Sequence, residues 1–238
     1  MFFDLSPRLA LLGDKNTQLI ETYQTVREFP DEVFDRVMAI PRKREIYYKQ
    51  RGLDVRRLSE KDRAARFIFL NRNCFNGIYR TNLKGEFNVP FSDYRVGAFV
   101  TREEFLAAAG LLQSADLRAS DFGRTLQHVG RGDFVYLDPP YAVESRRVFR
   151  EYGKRIFSTA DLNRLAGHLD RIAARGAAFV FSYADCRESR HIAARWICHR
   201  TTVRRHVAGF SGFRKSSSEL VITNVAHDGV RDSPFRRA

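Results

Sequence analysis

The first clear pattern along the chain is a short apolar run, Leu9–Leu12, closed by Gly13-Asp14. Leu19, Ile20, Tyr23 and Val26 follow at helical spacing between Thr17 and Phe29. Together they predict a buried strand feeding an amphipathic helix. Asp14 and Asn16 then lie in a strand-to-helix turn, the edge of an α/β sheet where ligands bind. Between Pro30 and about Val100 the alternation is lost. Glu60–Leu70 is helical in period, and residues 71–94 mix Asn, Gly, aromatic and basic positions as loops and hairpins do. After Arg102 the alternation returns. The pattern predicts a helix over Glu103–Leu112, a short strand Ala115–Leu117, and a strand Phe134–Leu137 running into Asp138-Pro139-Pro140-Tyr141. A helix then runs to Arg175, with Ser158 as N-cap, Asp161 at N3 and Gly176 closing it. Strands Ala177–Phe181 and Glu219–Asn224 complete the series. The expected fold class is α/β, with a mostly parallel sheet interrupted by a module that does not belong to it. Residues 1–29 and 101–225 form the α/β domain, 30–100 the insertion and 226–238 a polar tail.

Charge sharpens the role of that insertion. Lys and Arg number 41 against 28 Asp and Glu, a net charge of +13 over 238 residues. Alone, this surplus does not separate a polyanionic partner from a generally basic chain. Residues 41–100, however, hold 14 Lys/Arg and 6 Asp/Glu, a net +8. No run of 18 apolar residues exists, so no membrane helix is expected. The first residues lack the basic stretch of a secretory signal. Cys74, Cys186 and Cys198 form no CxxC and no even framework, which argues against a disulfide scaffold or zinc ribbon and fits a reducing cytoplasm. No metal site is expected.

Asp138-Pro139-Pro140-Tyr141 carries the candidate chemistry. Two prolines cannot donate to a sheet ladder, and they hold the chain extended past the strand with carbonyls free to accept. A carboxylate and a carbonyl there can hold an exocyclic amine between them, and Tyr141 offers a flat face to the ring that carries it. A base amine inside a duplex reaches such a pocket only after extrusion. The plain alternative is a proline-rich strand exit headed by an Asp.

FVYLDPPY resembles motif IV of the amino-methyltransferases that use S-adenosylmethionine, and LNRNCFNGIYRTNLKGEFNVPFSDY is similar to the recognition stretch of Dam-type DNA adenine-N6 methyltransferases. LLGDKNTQLIETY, FSTADLNRLAGHLDRIAARGAAFVFSYAD and SGFRKSSSELVITN resemble further segments of the same family in the same order. The resemblance runs from residue 2 to about 224. It implies a Rossmann-like class I methyltransferase sheet with an inserted helical and hairpin DNA-recognition module. The implied activity is methyl transfer from S-adenosylmethionine to N6 of adenine in a short, GATC-like duplex site, by base flipping and direct transfer, without a metal. The implied partner is double-stranded DNA, bound by a monomer in the cytoplasm, in association with the nucleoid.

Roles follow residue by residue from that resemblance. Asp138 would bind the target amine and lie near the cofactor's methionine part, the Pro139 carbonyl would take the second amine hydrogen, Pro140 would fix the backbone and Tyr141 would stack on the flipped adenine. Asp14 would hold the cofactor ribose, with a helix N-cap as its alternative role. Asp121 and Phe122 would flank the cofactor adenine, a core Phe being the alternative for Phe122. Arg80 matches a base-reading residue, Asn76 and Ile78 a loop entering the duplex, and Pro90 and Tyr94 a second recognition loop. Lys84, Arg72 and Arg95 would meet phosphates. The clusters Arg42-Lys43-Arg44 and Arg56-Arg57 read as a solvated face.

The family begins with a Lys-containing segment and a central first strand ending in a Phe/Gly-rich cofactor loop. Residue 1 aligns just beyond that loop, so the first strand is expected to be missing. A chain without it would bind S-adenosylmethionine weakly or not at all, and the alternative function is a catalytically weak or silent DNA-binding remnant.

Overall fold

The computed structural model describes residues 1–94, 97–140, 157–204 and 216–226. Tyr141, Arg95, the Gly209-Phe210-Ser211-Gly212 turn and most of the polar tail lie outside the described residues. The chain divides after Thr125 into two compact units.

In the first unit, strand β1 (Ala10–Asp14) pairs in parallel with β2 (Ala115–Ala119), Asp14 opposite Ala119. The strand begins one residue later than the apolar run suggests, because Leu9 is 88% exposed. Helix α1 (Phe2–Leu5) precedes β1. Helix α2 (Thr17–Glu28) follows it, and Asn16 caps α2 by accepting from the Leu19 N–H at 3.2 Å. Two buried threonines, Thr22 and Thr25, satisfy their hydroxyls on carbonyls one turn back, at 2.7 and 2.8 Å.

The stretch after Pro30 is more helical than its sequence suggests. It forms α3 (Pro30–Met38), α4 (Arg44–Arg51) and α5 (Glu60–Asn73). The signal for α3 was present: Pro30 at its start, Asp31 and Glu32 in its first turn, and Val33, Phe34 and Val37 on one buried face. Helix α4 has little apolar periodicity. It is fixed instead by buried Tyr47 and by Arg66, which donates to the carbonyls of Gln50 and Arg51 at the helix end. Burial pushes the Arg66 guanidinium below its ordinary value. Helix α6 (Arg102–Leu111) opens with a reciprocal cap between Thr101 and Glu104, and α7 (Phe122–Thr125) follows β2.

Two cores fill this unit. Ile20, Val26, Val33, Val37, Ala64 and Leu117 belong to the first, under β1 and β2. The second belongs to the insertion alone, with Tyr47, Phe69, Leu70, Cys74, Phe87, Val89 and Phe91. A fully buried side chain of this size contributes roughly 1.5–3 kcal/mol, so the insertion carries its own source of order.

The second unit is a four-stranded sheet in the order β3 (Phe134–Leu137), β4 (Ala178–Ala184), β6 (Ser216–Thr223), β5 (Ile197–Arg204). Strands β3 and β4 are parallel, bridged by helix α8 (Thr159–Ala174) with its Ser158–Asp161 capping box. The pairings β4–β6 and β6–β5 are antiparallel, where a mostly parallel sheet was expected. Residues 205–215 are too few for the dozen-residue crossover that parallel neighbours need. Strand β5 and helix α9 (Arg187–Ala193) have no counterpart in the hydrophobic pattern; both are short of apolar positions. Strand β4 alternates strictly. Phe179, Phe181 and Tyr183 are buried, as are Leu162, Leu165, Leu169 and Ile172 of α8. Val180 and Ser182 lie on the other face, with Phe134 and Tyr136 of β3, which are 53% and 43% exposed.

Candidate active site and nucleic-acid interface

At the carboxyl end of β1, Asp14 is exposed and its Oδ1 accepts the Asn16 N–H at 2.6 Å. Of the two roles open to this turn, Asn16 therefore takes the helix cap. Among the described residues no other hydrogen bond engages the Asp14 carboxylate, which leaves acceptor capacity for a pair of hydroxyls. Because β1 and β2 are parallel and in register, Asp121 emerges at the same edge. It caps α7 through the Gly123 N–H at 2.9 Å and pairs with Lys15 at 2.8 Å. Phe122 is half-buried beside it. The close approach of α7 depends on Gly13: a Cβ there would stand 2.4 Å from the Thr125 Oγ1. The open acceptor sites of Asp14, with the Phe122 ring at the same edge, fit the hydroxyls of a ribose and an adjoining ring. Lys15 was not singled out from the sequence, although it sits next to Asp14.

The insertion presents a second face in the same unit. Cys74 and Phe91 form a bridge, with the Phe75 N–H on the Pro90 carbonyl and the Ser92 N–H on the Asn73 carbonyl, both at 2.9 Å. This ties the loop at Asn76 and Ile78 to the loop at Pro90 and Tyr94. Asn76 takes a left-handed backbone (φ 54°), which Asn tolerates better than most residues, and Gly77 continues it (φ 62°). A hairpin closed by the Thr81–Phe87 bridge carries Lys84 at its exposed tip, where the Asn82 side chain accepts from the Lys84 and Glu86 N–H groups. Arg80 is half-buried, and its Nε donates to the Asn88 side chain at 2.9 Å. Asn76, Lys84, Pro90 and Tyr94 are exposed, Tyr94 by 71%. Ile78 is half-buried.

Arginines hold this face from behind. Arg42 donates to the Ser92 and Tyr94 carbonyls at 2.8 and 2.7 Å and stacks over Phe91. Arg44 pairs with Asp93. Arg42 and Arg44 are exposed, as a solvated face requires, yet they also engage partners some fifty residues downstream that local pattern does not reveal. Among the described residues Arg56 and Arg57 pair with neighbouring Asp54 at the surface. Arg72 donates to the carbonyls of Gly97 and Ala98. The Tyr79 ring lies between Phe67 and Phe87. Burial holds its phenol above the ordinary value, against a hydrogen bond from the Asn16 side chain. The recognition segment and the Asp14 turn therefore meet within one unit.

In the second unit Asp138 stands exposed one residue beyond β3, followed by half-buried Pro139 and exposed Pro140. Its Oδ1 accepts the Ser182 hydroxyl at 3.1 Å. Nearby, Asp185 is held below the usual carboxylate range by a hydrogen bond from Arg190, with Arg200 adding to it. Cys74 and Cys198 are buried, which pushes each thiol up to about 11 and leaves neither a nucleophile. Among the described residues no cluster of three His, Cys, Asp or Glu is placed to hold a metal, and no helix is long and apolar enough to cross a membrane.

A strand-end carboxylate followed by two prolines, together with a basic, arginine-braced loop face, is the equipment of an amine methyltransferase that acts on nucleic acid. Residues 1–207 match the family described as D12 class N6 adenine-specific DNA methyltransferase, and the chain belongs to that family. It is 28% identical over 236 residues to the Type II methyltransferase M1.LlaDCHI of Lactococcus lactis subsp. cremoris, covering 95% of this chain and 83% of that protein. It is 31% identical over 216 residues to the DNA adenine methylase of Escherichia coli K12, covering 89% of this chain and 77% of that protein. It is also 31% identical over 185 residues to the Type II methyltransferase M.MjaIII of Methanocaldococcus jannaschii, covering 72% of this chain and 64% of that protein. The protein is an adenine-specific DNA methyltransferase of mixed α/β fold, and its substrate is DNA.

Proposed function

We propose that this enzyme methylates N6 of a flipped adenine in a short, GATC-like duplex site, with S-adenosylmethionine as donor, acting as a monomer on DNA. The observation that carries this reading is Asp138, exposed just past β3 and followed by two prolines. When bound, S-adenosylmethionine supplies an electrophilic methyl group. Asp14 would hold its ribose hydroxyls, and Asp121 and Phe122 would border its adenine.

Asp138 and the Pro139 carbonyl each accept one hydrogen of the target amine. The amine lone pair, otherwise delocalised into the ring, is thereby localised on nitrogen, and the carboxylate offsets positive charge as it grows there. Pro140 keeps the backbone extended, and Tyr141 stacks on the extruded base. Arg80 reads a guanine edge, Asn76 and Ile78 enter the duplex, and Pro90 and Tyr94 flank it. Lys84, Arg95 and Arg72 lie along the phosphates, Arg72 also bracing residues 97–98. Residues 30–100 act as the DNA-recognition module of an α/β domain formed by 1–29 and 101–225.

Among the described residues β1 has one strand neighbour, β2, and β3 has one, β4. Plasmid DNA from cells expressing the chain tests the reading directly. Resistance to a nuclease blocked by adenine methylation at GATC, and cleavage by one that requires it, is the expected outcome, and unaltered digestion at GATC and related sites would overturn it.

A further inference from the structure

Ser182 has no place in the reading so far, yet its hydroxyl is the group that touches the proposed amine-binding carboxylate. The contact is dictated by sheet register. Strands β3 and β4 are parallel, with Leu137 opposite Phe181, so the next residues along, Asp138 and Ser182, share one face. Ser182 is also paired on its other side, opposite Val221 of β6, so it sits on an interior strand between two buried aromatics, Phe181 and Tyr183. Asp138, by contrast, is exposed and lies where the β3–β4 ladder has ended. A carboxylate in that position turns freely about its side-chain bonds unless something holds it. The Ser182 hydroxyl, 3.1 Å from Oδ1, is the described side chain that does so.

We propose that Ser182 is a positioning residue for methyl transfer: by donating to Asp138 Oδ1 it fixes the carboxylate plane and leaves Oδ2 to accept the amine hydrogen. The inference rests on Asp138 binding the target amine. A charge-assisted hydrogen bond to one oxygen still leaves acceptor sites on the other, so holding and binding do not compete. An orientation device of this kind acts on the reacting geometry and leaves the binding surfaces untouched.

Single-turnover methylation of a target duplex by the full chain, at saturating S-adenosylmethionine, separates the possibilities. Ser182→Ala is expected to slow the transfer step about 10-fold, with the DNA Kd and the cofactor KM within about twofold of wild type. Ser182→Thr keeps a hydroxyl on a β-branched residue suited to a strand and is expected to restore most of the rate. An unchanged rate in Ser182→Ala while Asp138→Ala is inactive would overturn the inference alone. Equal losses in Ser182→Ala and Ser182→Thr would also overturn it, since packing and not the hydroxyl would then matter. Full activity in Asp138→Ala would overturn the reading beneath it, and this inference with it.

Discussion

Residues 74–94 and residues 138–140 are both irregular backbone, and they are held in different ways. The first segment surrounds a private core of Phe87, Val89 and Phe91 with Tyr47 and Leu70. Its loops are tied to each other at Cys74–Phe91 and braced from behind by Arg42, Arg44 and Arg51. The second stands at the end of a strand, on a half-open sheet face, stiffened by two prolines and steadied by the Ser182 hydroxyl. A surface that must discriminate among base pairs is pre-organised, because each misplaced donor costs specificity. On the proposed function, an exposed carboxylate leaves room for an extruded base to reach it.

That contrast can be broken by substitution. Asp138→Ala has the largest expected effect: methylation falls at least about 1,000-fold, while duplex affinity stays within about threefold, measured by methyl incorporation and by titration with labelled DNA. Loss of DNA binding in step with activity would erase the distinction between the two regions. Next comes Asp14→Ala, expected to raise the cofactor KM by about 10- to 100-fold through loss of a charge-assisted pair of acceptors, with DNA affinity unchanged. Arg80→Ala is expected to relax choice at one base pair by roughly 1–3 kcal/mol, seen as activity on singly altered sites. A uniform loss across sequences, with a shallower salt dependence, would make it a phosphate contact.

Arg42→Ala tests the bracing directly. It removes two hydrogen bonds to loop carbonyls and is expected to destabilise the fold by about 1–2 kcal/mol and to blunt discrimination before it slows transfer. The smallest effect concerns Asp185, whose carboxyl is held low by Arg190 and Arg200. Its contribution to stability is present above the ordinary carboxylate value near 4 and is lost as pH falls through its lowered native value. Asp185→Asn is therefore expected to lower the melting temperature at neutral pH and to flatten its decline on acidification.

Much of the scaffold was legible because its hydrophobic period is clean. Helix α2, helix α8 with its Ser158–Asp161 cap, and β3 were all apparent from spacing. Helix α4 and strand β5 were not. The first is anchored by a single buried tyrosine and a distant arginine, and the second has few apolar residues and depends on pairing with β6. At the site, the residue types were readable but their partners were not. Nothing local in the sequence joins Arg42 to Ser92 or Ser182 to Asp138; sheet register and loop packing make those contacts.

The most direct test of the account is the identity of the methylated nucleoside. Duplex DNA incubated with the purified chain and S-adenosylmethionine, then digested and resolved by mass, should yield N6-methyldeoxyadenosine, and none from the Asp138→Ala variant. Methylated cytosine in its place, or N6-methyldeoxyadenosine in equal amount from the variant, would contradict it.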